Sequence, residues 1–167
     1  MSFLDNFKYT KYKYFKKENI IYFLLIITIF LFDRYSKLNV INNFNENTYY
    51  VNNFINFDLI WNSGIGFGFF KSVNTAIYNS ITFFIGTVIV GLFYFSLKSK
   101  TFEKYTFGII IGGALGNFYD RIIYKSVPDF IDLHYNNFHW FTFNVADIFI
   151  SIGIILFLLL GSTSKIK

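Results

Sequence analysis

Phe143 to Thr163 reads FNVADIFISIGIILFLLLGST, an apolar run long enough to cross a bilayer, with its single charge, Asp147, near the start. A carboxylate beside hydrocarbon loses hydration, so groups in this position are usually retained for ion handling or catalysis. Upstream, Val127-Pro128-Asp129-Phe130 sets a second Asp next to another apolar stretch. Two carboxylates that approach each other share one proton and activate water. The chain has no Cys, no Gly-x-Ser-x-Gly elbow and no His-Glu-x-x-His helix, which leaves a carboxylate pair as the available catalytic device.

Three further runs have the length of a spanning helix: Ile20 to Ile41, Ala76 to Leu97 and Tyr105 to Ile123. Together with 54% hydrophobic and only 15% charged residues, they predict an all-α membrane protein of four transmembrane helices in a single domain, 1–167. The absence of Cys excludes disulfides and thiolate sites and says nothing about compartment. The 25 Phe residues carry no functional weight, because nucleotide bias explains them equally well.

Basic residues set the orientation. Lys8, Lys11, Lys13, Lys16 and Lys17 precede the first run within a basic segment, 1–19; Lys98, Lys100 and Lys104 link the second and third; Lys165 and Lys167 follow the fourth. The positive-inside rule puts these on the cytoplasmic side with both termini. The net charge of +5 is thereby explained by topology, and no nucleic-acid partner is expected. The first run is read as a permanent helix and not a cleaved leader, since Asp33, Arg34 and Lys37 stand where a small-residue cleavage site belongs.

This threading gathers polar residues at one outer face. Asp33 and Lys37 lie four apart, Asn117, Asp120 and Arg121 share a helix face, and Asn144 and Asp147 are three apart. Asp129 falls in the connection 124–142, read as a loop. Ion pairs closing helix ends would account for Asp33 with Lys37 and for Asp120 with Arg121. A helix cap would account for Asn144, and the macrodipole for Asp147. Capping leaves unexplained why Asn-x-x-Asp occurs twice, at 117–120 and 144–147.

Gly112, Gly113 and Gly116 suit close helix packing. The stretch 42–75 has the mixed texture of a short strand or hairpin at Phe54 to Trp61, followed by Gly64, Gly66 and Gly68 alternating with Ile65, Phe67 and Phe69. It predicts a small extracytoplasmic β-like cradle between helices one and two, with a membrane-dipping cover. His134 and His139 near Asp132 are read as residues of a solvated loop, and no metal or cofactor is expected.

Taken together, the motifs resemble one family across nearly the whole chain: lipoprotein signal peptidase, also called signal peptidase II. The resemblance rests on Asp33 with Lys37; Trp61-Asn62-Ser63-Gly64 with Phe67; Gly112-Gly113-Ala114-Leu115-Gly116-Asn117-Phe118-Tyr119-Asp120-Arg121; Val127-Pro128-Asp129-Phe130; and Phe143-Asn144-Val145-Ala146-Asp147. It implies a bacterial inner-membrane aspartic endopeptidase, active as a monomer at the outer face among membrane lipids. Its substrates would be diacylglyceryl-modified prolipoproteins, cut just before the lipidated cysteine. By motif, Asp129 and Asp147 would be the catalytic dyad. Asn62, Gly64, Phe67, Gly116, Asn117, Arg121, Asn144 and Ala146 would bind substrate or support the site, and Asp33, Lys37 and Asp120 would order it. Pro128 stands where many members carry an aliphatic residue, and the N-terminal extension of about 19 residues is longer than usual.

Two other functions fit an intramembrane carboxylate: an ion-coupled carrier and a scaffold without catalysis. A relay needs polar steps across the bilayer, and the second run has no charge at all. A scaffold would tolerate loss of both Asp129 and Asp147.

Overall fold

A computed structural model of the chain describes residues 17–44, 48–64, 75–136 and 138–163. In chain order the elements are α1 (Lys17–Asn43), β1 (Tyr49–Asn52), β2 (Ile55–Asn62), α2 (Thr75–Lys98), α3 (Thr101–Tyr124), β3 (Val127–Tyr135), β4 (Phe138–Phe143) and α4 (Val145–Thr163). The four apolar runs are the four helices. The first three helices extend beyond those runs because Lys, Asn and Thr at their ends continue the backbone ladder even where hydropathy falls.

Besides Arg34, the buried residues of α1 are Tyr22, Ile26, Ile29, Asp33, Lys37 and Val40, spaced four, three, four, four and three apart. That spacing is one helical stripe, apolar in its first half and ionic in its second. Leu24, Leu31 and Phe32 on other faces stay exposed. In α2 one face is turned outward, with Phe83, Phe84, Val90 and Phe95 exposed, while Tyr78, Ile89 and Ser96 are buried. Apolar side chains fully outward are what lipid, and not water, accommodates.

The central helix is α3, which packs against α1, α2 and α4. Its glycines make this possible. A Cβ added at Gly112 would come 2.9 Å from Ile29 Cβ in α1, and one at Gly113 would come 2.6 Å from the Ala146 carbonyl oxygen in α4. Both are closer than real Cβ atoms approach, so the packing role read from these residues holds. Tyr22, Ile26, Ile89, Phe107 and Ile111 form the apolar core at the end of the bundle away from the ionic residues. Within it Tyr22 Oη and Ser96 Oγ share a 2.6 Å hydrogen bond.

Of these helices, α1 and α2 are long and apolar enough to cross a membrane by length and composition. Asn117, Asp120 and Arg121 lower the hydropathy of α3, but these groups are buried inside the bundle. At 19 residues, α4 is apolar along its length after Asp147.

The cradle is larger than the first connection alone provides. An antiparallel sheet of order β1-β2-β3-β4 takes two strands from residues 49–62 and two from 127–143. The connection 124–142 is therefore a β-hairpin and not a loop, and Asp129 lies on β3, opposite Ile60. Pro128, which reads as a breaker, is tolerated because β4 pairs with β3 only from Ile131 onward, so the β3 edge at Pro128 lacks a partner on that side. Phe143, expected in the fourth helix, ends β4. The shift from Phe57↔Ile131 to Ile60↔Asp129 marks a bulge that adds a residue to β2 just before the site.

Candidate active site

The C-terminal halves of α1 and α3, the start of α4, and the ends of β2 and β3 converge on two adjoining polar clusters. The first is ionic. Lys37 Nζ donates to Asp33 Oδ2 at 2.8 Å, Asn117 Oδ1 at 2.8 Å and Asp120 Oδ2 at 2.7 Å, which uses all three ammonium protons. Arg34 Nη1 donates to the other oxygen of Asp120, and its guanidinium lies 4.8 Å from the Tyr119 ring centroid. Asp33 Oδ1 accepts from the Ala146 backbone amide at 2.9 Å, tying α1 to the start of α4. Asp33, Lys37 and Asp120 are fully buried, and the two acids and two bases balance. Buried charges persist only when paired and hydrogen-bonded in this way.

Asp120 therefore pairs with Lys37 and Arg34 and not with the adjacent Arg121. Helix geometry explains the correction, because residues one apart point about 100° away from each other while the partners on α1 face Asp120 directly. Gly116 is the contact surface. A Cβ there would stand 2.3 Å from Asp33 Oδ2.

The second cluster holds Asp129 and Asp147, and neither makes an ion pair among the described residues. Asp129 Oδ2 accepts from Asn62 Nδ2 at 2.8 Å and its Oδ1 from Asn144 Nδ2 at 2.5 Å. Asp147 Oδ1 accepts from Asn117 Nδ2 at 2.8 Å and its Oδ2 from the Asn144 backbone amide at 3.1 Å. Asn144 thus touches both acids. Its remaining oxygen accepts from the Asp147 amide at 3.1 Å, a reciprocal cap that fixes the start of α4. Capping and site support are one arrangement.

Burial pushes the Asp129 carboxyl up to about 6, and the negative charge of Asp147 adds to the rise; the amide donors of Asn62 and Asn144 offset it in part. Arg121 donates to the carbonyls of Asn117 at 3.0 Å and Gly64 at 3.1 Å, and its buried Nε has no hydrogen-bond partner. Its positive charge stands near the acids without neutralising either through a direct pair. Asn62 Oδ1 accepts from the Gly64 amide at 2.8 Å, an Asx turn that aims the Asn62 amide at Asp129. Phe67 lies outside the described residues.

What this arrangement can do is limited by its parts. It offers one buried carboxylate, Asp129, and one half-buried, Asp147, held by neutral amides, with a charge nearby and no Ser or Cys hydrogen-bonded to either among the described residues. That is the equipment for general acid and base work on water. The family model described as "Signal peptidase (SPase) II" matches residues 25–162.

The chain belongs to the signal peptidase II family.

Lipoprotein signal peptidase of Pelagibacter ubique (strain HTCC1062) is 50% identical over 134 residues, covering 78% of this chain and 81% of that protein. Lipoprotein signal peptidase of Dichelobacter nodosus (strain VCS1703A) is 36% identical over 141 residues, covering 83% and 91%. A bacterial membrane enzyme solved by the in meso method at 2.3 Å resolution superposes with a TM-score of 0.72 at 29% identity, over 88% of this chain and 92% of that one. This signal peptidase II family member is accordingly an integral membrane protein and a protease by family.

Two parts of the site escaped the sequence. Arg34 completes the ionic cluster, and its position next to Asp33 was the available signal. Tyr78 on α2 donates to the Arg121 carbonyl at 3.2 Å, a contact between distant segments that no local spacing announces. His134 is buried on β3 and not in a solvated loop, while His139 on β4 is exposed.

Proposed function

We propose that this protein is a membrane aspartic endopeptidase that removes signal peptides from diacylglyceryl-modified prolipoproteins, cutting just before the lipidated cysteine. The observation that carries this reading is the contrast between the two clusters. Asp33 and Asp120 are ion-paired, whereas Asp129 and Asp147 share Asn144 and make no direct ion pair among the described residues. Acids withdrawn from water without a direct ion pair hold a proton readily, which an aspartic mechanism needs.

In this mechanism the pair carries one proton and titrates as a unit. The ionised carboxylate removes a proton from water as the water oxygen attacks the scissile carbonyl carbon. The protonated partner donates a hydrogen bond to the carbonyl oxygen. The tetrahedral intermediate then collapses, the C–N bond breaks, and a carboxyl proton passes to the leaving amine of the lipidated cysteine. Asn62, Asn117 and Asn144 orient the acids. Gly64, Arg121, Gly116 and Ala146 shape the surroundings, and the Asp33, Lys37 and Asp120 cluster locks α1 to α3 and α4.

The four helices span the bacterial inner membrane with both termini in the cytoplasm, and the sheet with the two acids lies at the outer face. The protein acts as a monomer. At that depth the substrate's signal helix and its acyl chains lie beside the bundle, so lipid-facing grooves do much of the recognition. The apolar groove lined by Ile26, Phe30, Leu115, Phe118 and Ile122 is the right kind of surface.

The test is cleavage of one purified precursor in diacylglyceryl-modified and unmodified forms, with the new N-terminus read by mass spectrometry. The reading expects a product beginning at the lipidated cysteine and poor cleavage of the unmodified form. Equal rates for both forms, or cutting elsewhere, would refute it.

A further inference from the structure

Asp132, His134 and His139 each offer a ligating atom, and these atoms lie within 4.8 Å of one another. We propose that this cluster on the outer hairpin is a binding site for a zinc-type divalent transition-metal ion. It is separate from Asp129 and Asp147, and the inference does not depend on the peptidase reading.

The hairpin is built in a way that assembles the three ligands. Asp132 and His134 are two apart on β3 and share a face. In a regular ladder the residue opposite His134 would be Trp140, because Ile131↔Phe143, Asp132↔Thr142 and Leu133↔Phe141 set that register. Instead the pairing slips between Leu133 and His134, and His139 stands opposite His134. This bulge turns His139 onto the face of the other two, and bulges commonly re-aim a side chain in this way. The two imidazoles lie with ring centroids 5.4 Å apart at an interplanar angle of 26°.

Both imidazoles approach one carboxylate oxygen. His139 Nδ1 is 2.8 Å and His134 Nδ1 is 3.4 Å from the same oxygen, Asp132 Oδ2. His134 is more than nine-tenths buried, yet its Nδ1 has no hydrogen-bond partner. Asn56, which pairs with Asp132 across β2 and β3 and so shares its face, also leaves a buried Oδ1 without a partner. Orphaned buried polar atoms are costly. A cation among the three ligands satisfies the His134 nitrogen and the carboxylate together.

The donor chemistry selects the ion. Two imidazole nitrogens and one carboxylate suit zinc and its first-row neighbours and suit calcium or magnesium poorly. Ligands about 2.0–2.1 Å from a tetrahedral zinc stand roughly 3.3 Å apart, close to the 3.4 Å separation of His134 Nδ1 and Asp132 Oδ2. With three protein ligands the fourth position is open on the exposed His139 side. Strand alternation puts Asp129 on the opposite face of β3, about 10 Å along the strand, so the metal does not enter the acid pair. It would clamp β3, which carries Asp129, to β4, which runs into Asn144 and Asp147.

The test uses the full chain, purified in detergent without a polyhistidine tag and stripped with chelator. Zinc chloride is titrated by calorimetry, thermal unfolding is recorded with and without zinc, and cobalt is substituted for its visible absorption. The expected result is one zinc per chain, a zinc-dependent rise in Tm and a tetrahedral cobalt spectrum, all retained in Asp129→Asn. His139→Ala, a change at an exposed position, should weaken zinc at least about 100-fold. Zinc binding no stronger in the wild type than in folded His139→Ala would overturn the proposal and leave only an Asp132–His139 hydrogen bond. Binding lost in Asp129→Asn and kept in His139→Ala would overturn it by moving the ion to the acid pair.

Discussion

Lys37 Nζ stands 2.8 Å from Asn117 Oδ1, and through this contact the buried ion cluster sets the orientation of an amide whose other end donates to Asp147. Removing the ammonium leaves Asp33 and Asp120 short of a partner in a site that water does not reach. Lys37→Ala should therefore destabilise the fold by about 3–5 kcal/mol, the usual cost of breaking a buried pair from one side. Thermal unfolding in detergent measures it. A Tm close to that of the wild type would contradict the buried network.

Asn144 has two separable duties. Ser is a good helix cap but cannot reach as a side-chain amide donor to Asp129. Asn144→Ser should keep a Tm near that of the wild type and lose at least about tenfold in cleavage, since one misplaced contact at an acid is worth this much. Asn144→Ala should lose the cap as well, at about 0.5–2 kcal/mol. Parallel unfolding and cleavage assays separate the two, and unchanged cleavage in Asn144→Ser would deny the Asp129 contact any role.

Glycines make a matched pair of predictions. Gly116→Ala would drive a methyl to 2.3 Å from Asp33 Oδ2, whereas a Cβ at Gly91 meets nothing within 4 Å. Overpacking at Gly116 should cost about 1–3 kcal/mol or more. Gly91→Ala, in the interior of α2, should gain about 0.5–1 kcal/mol from helix propensity. Opposite Tm shifts are the check.

The pH dependence of stability follows from Asp129, whose carboxyl moves from 3.8 to about 6 on folding. A raised carboxyl binds its proton more tightly in the folded state. Its favourable contribution is present below the unfolded value and is lost as pH rises through about 6, so stability falls over this interval, by about 3 kcal/mol for this group. Asp129→Asn cannot titrate and should show a shallower fall. Tm profiles between about pH 4 and 7 test the sign, and identical slopes in both proteins would contradict it.

The helices were legible because lipid-facing length and hydropathy are local properties. The acid pair was legible for a related reason: each Asp interrupts or borders an apolar run where a charge is costly. The sheet was not. Phe138 to Phe143 is apolar or aromatic at nearly every second and first position alike, so no alternation marks β4, and Pro128 masks the start of β3. Its pairing with β2 joins residues some seventy positions apart, and the bulge that turns His139 toward His134 is a matter of register. Arg34 was visible as a charge, but its partner Asp120 sits on another helix, 86 positions away.

Cleavage of a purified diacylglyceryl-modified prolipoprotein by the wild type, Asp129→Asn and Asp147→Asn, each verified as folded in detergent, tests the central claim most directly. Both variants should lose about 10²–10⁴-fold or more in rate, since each removes a proton-transfer group from the pair. Full activity in either folded variant would remove that residue from the chemistry and contradict the dyad.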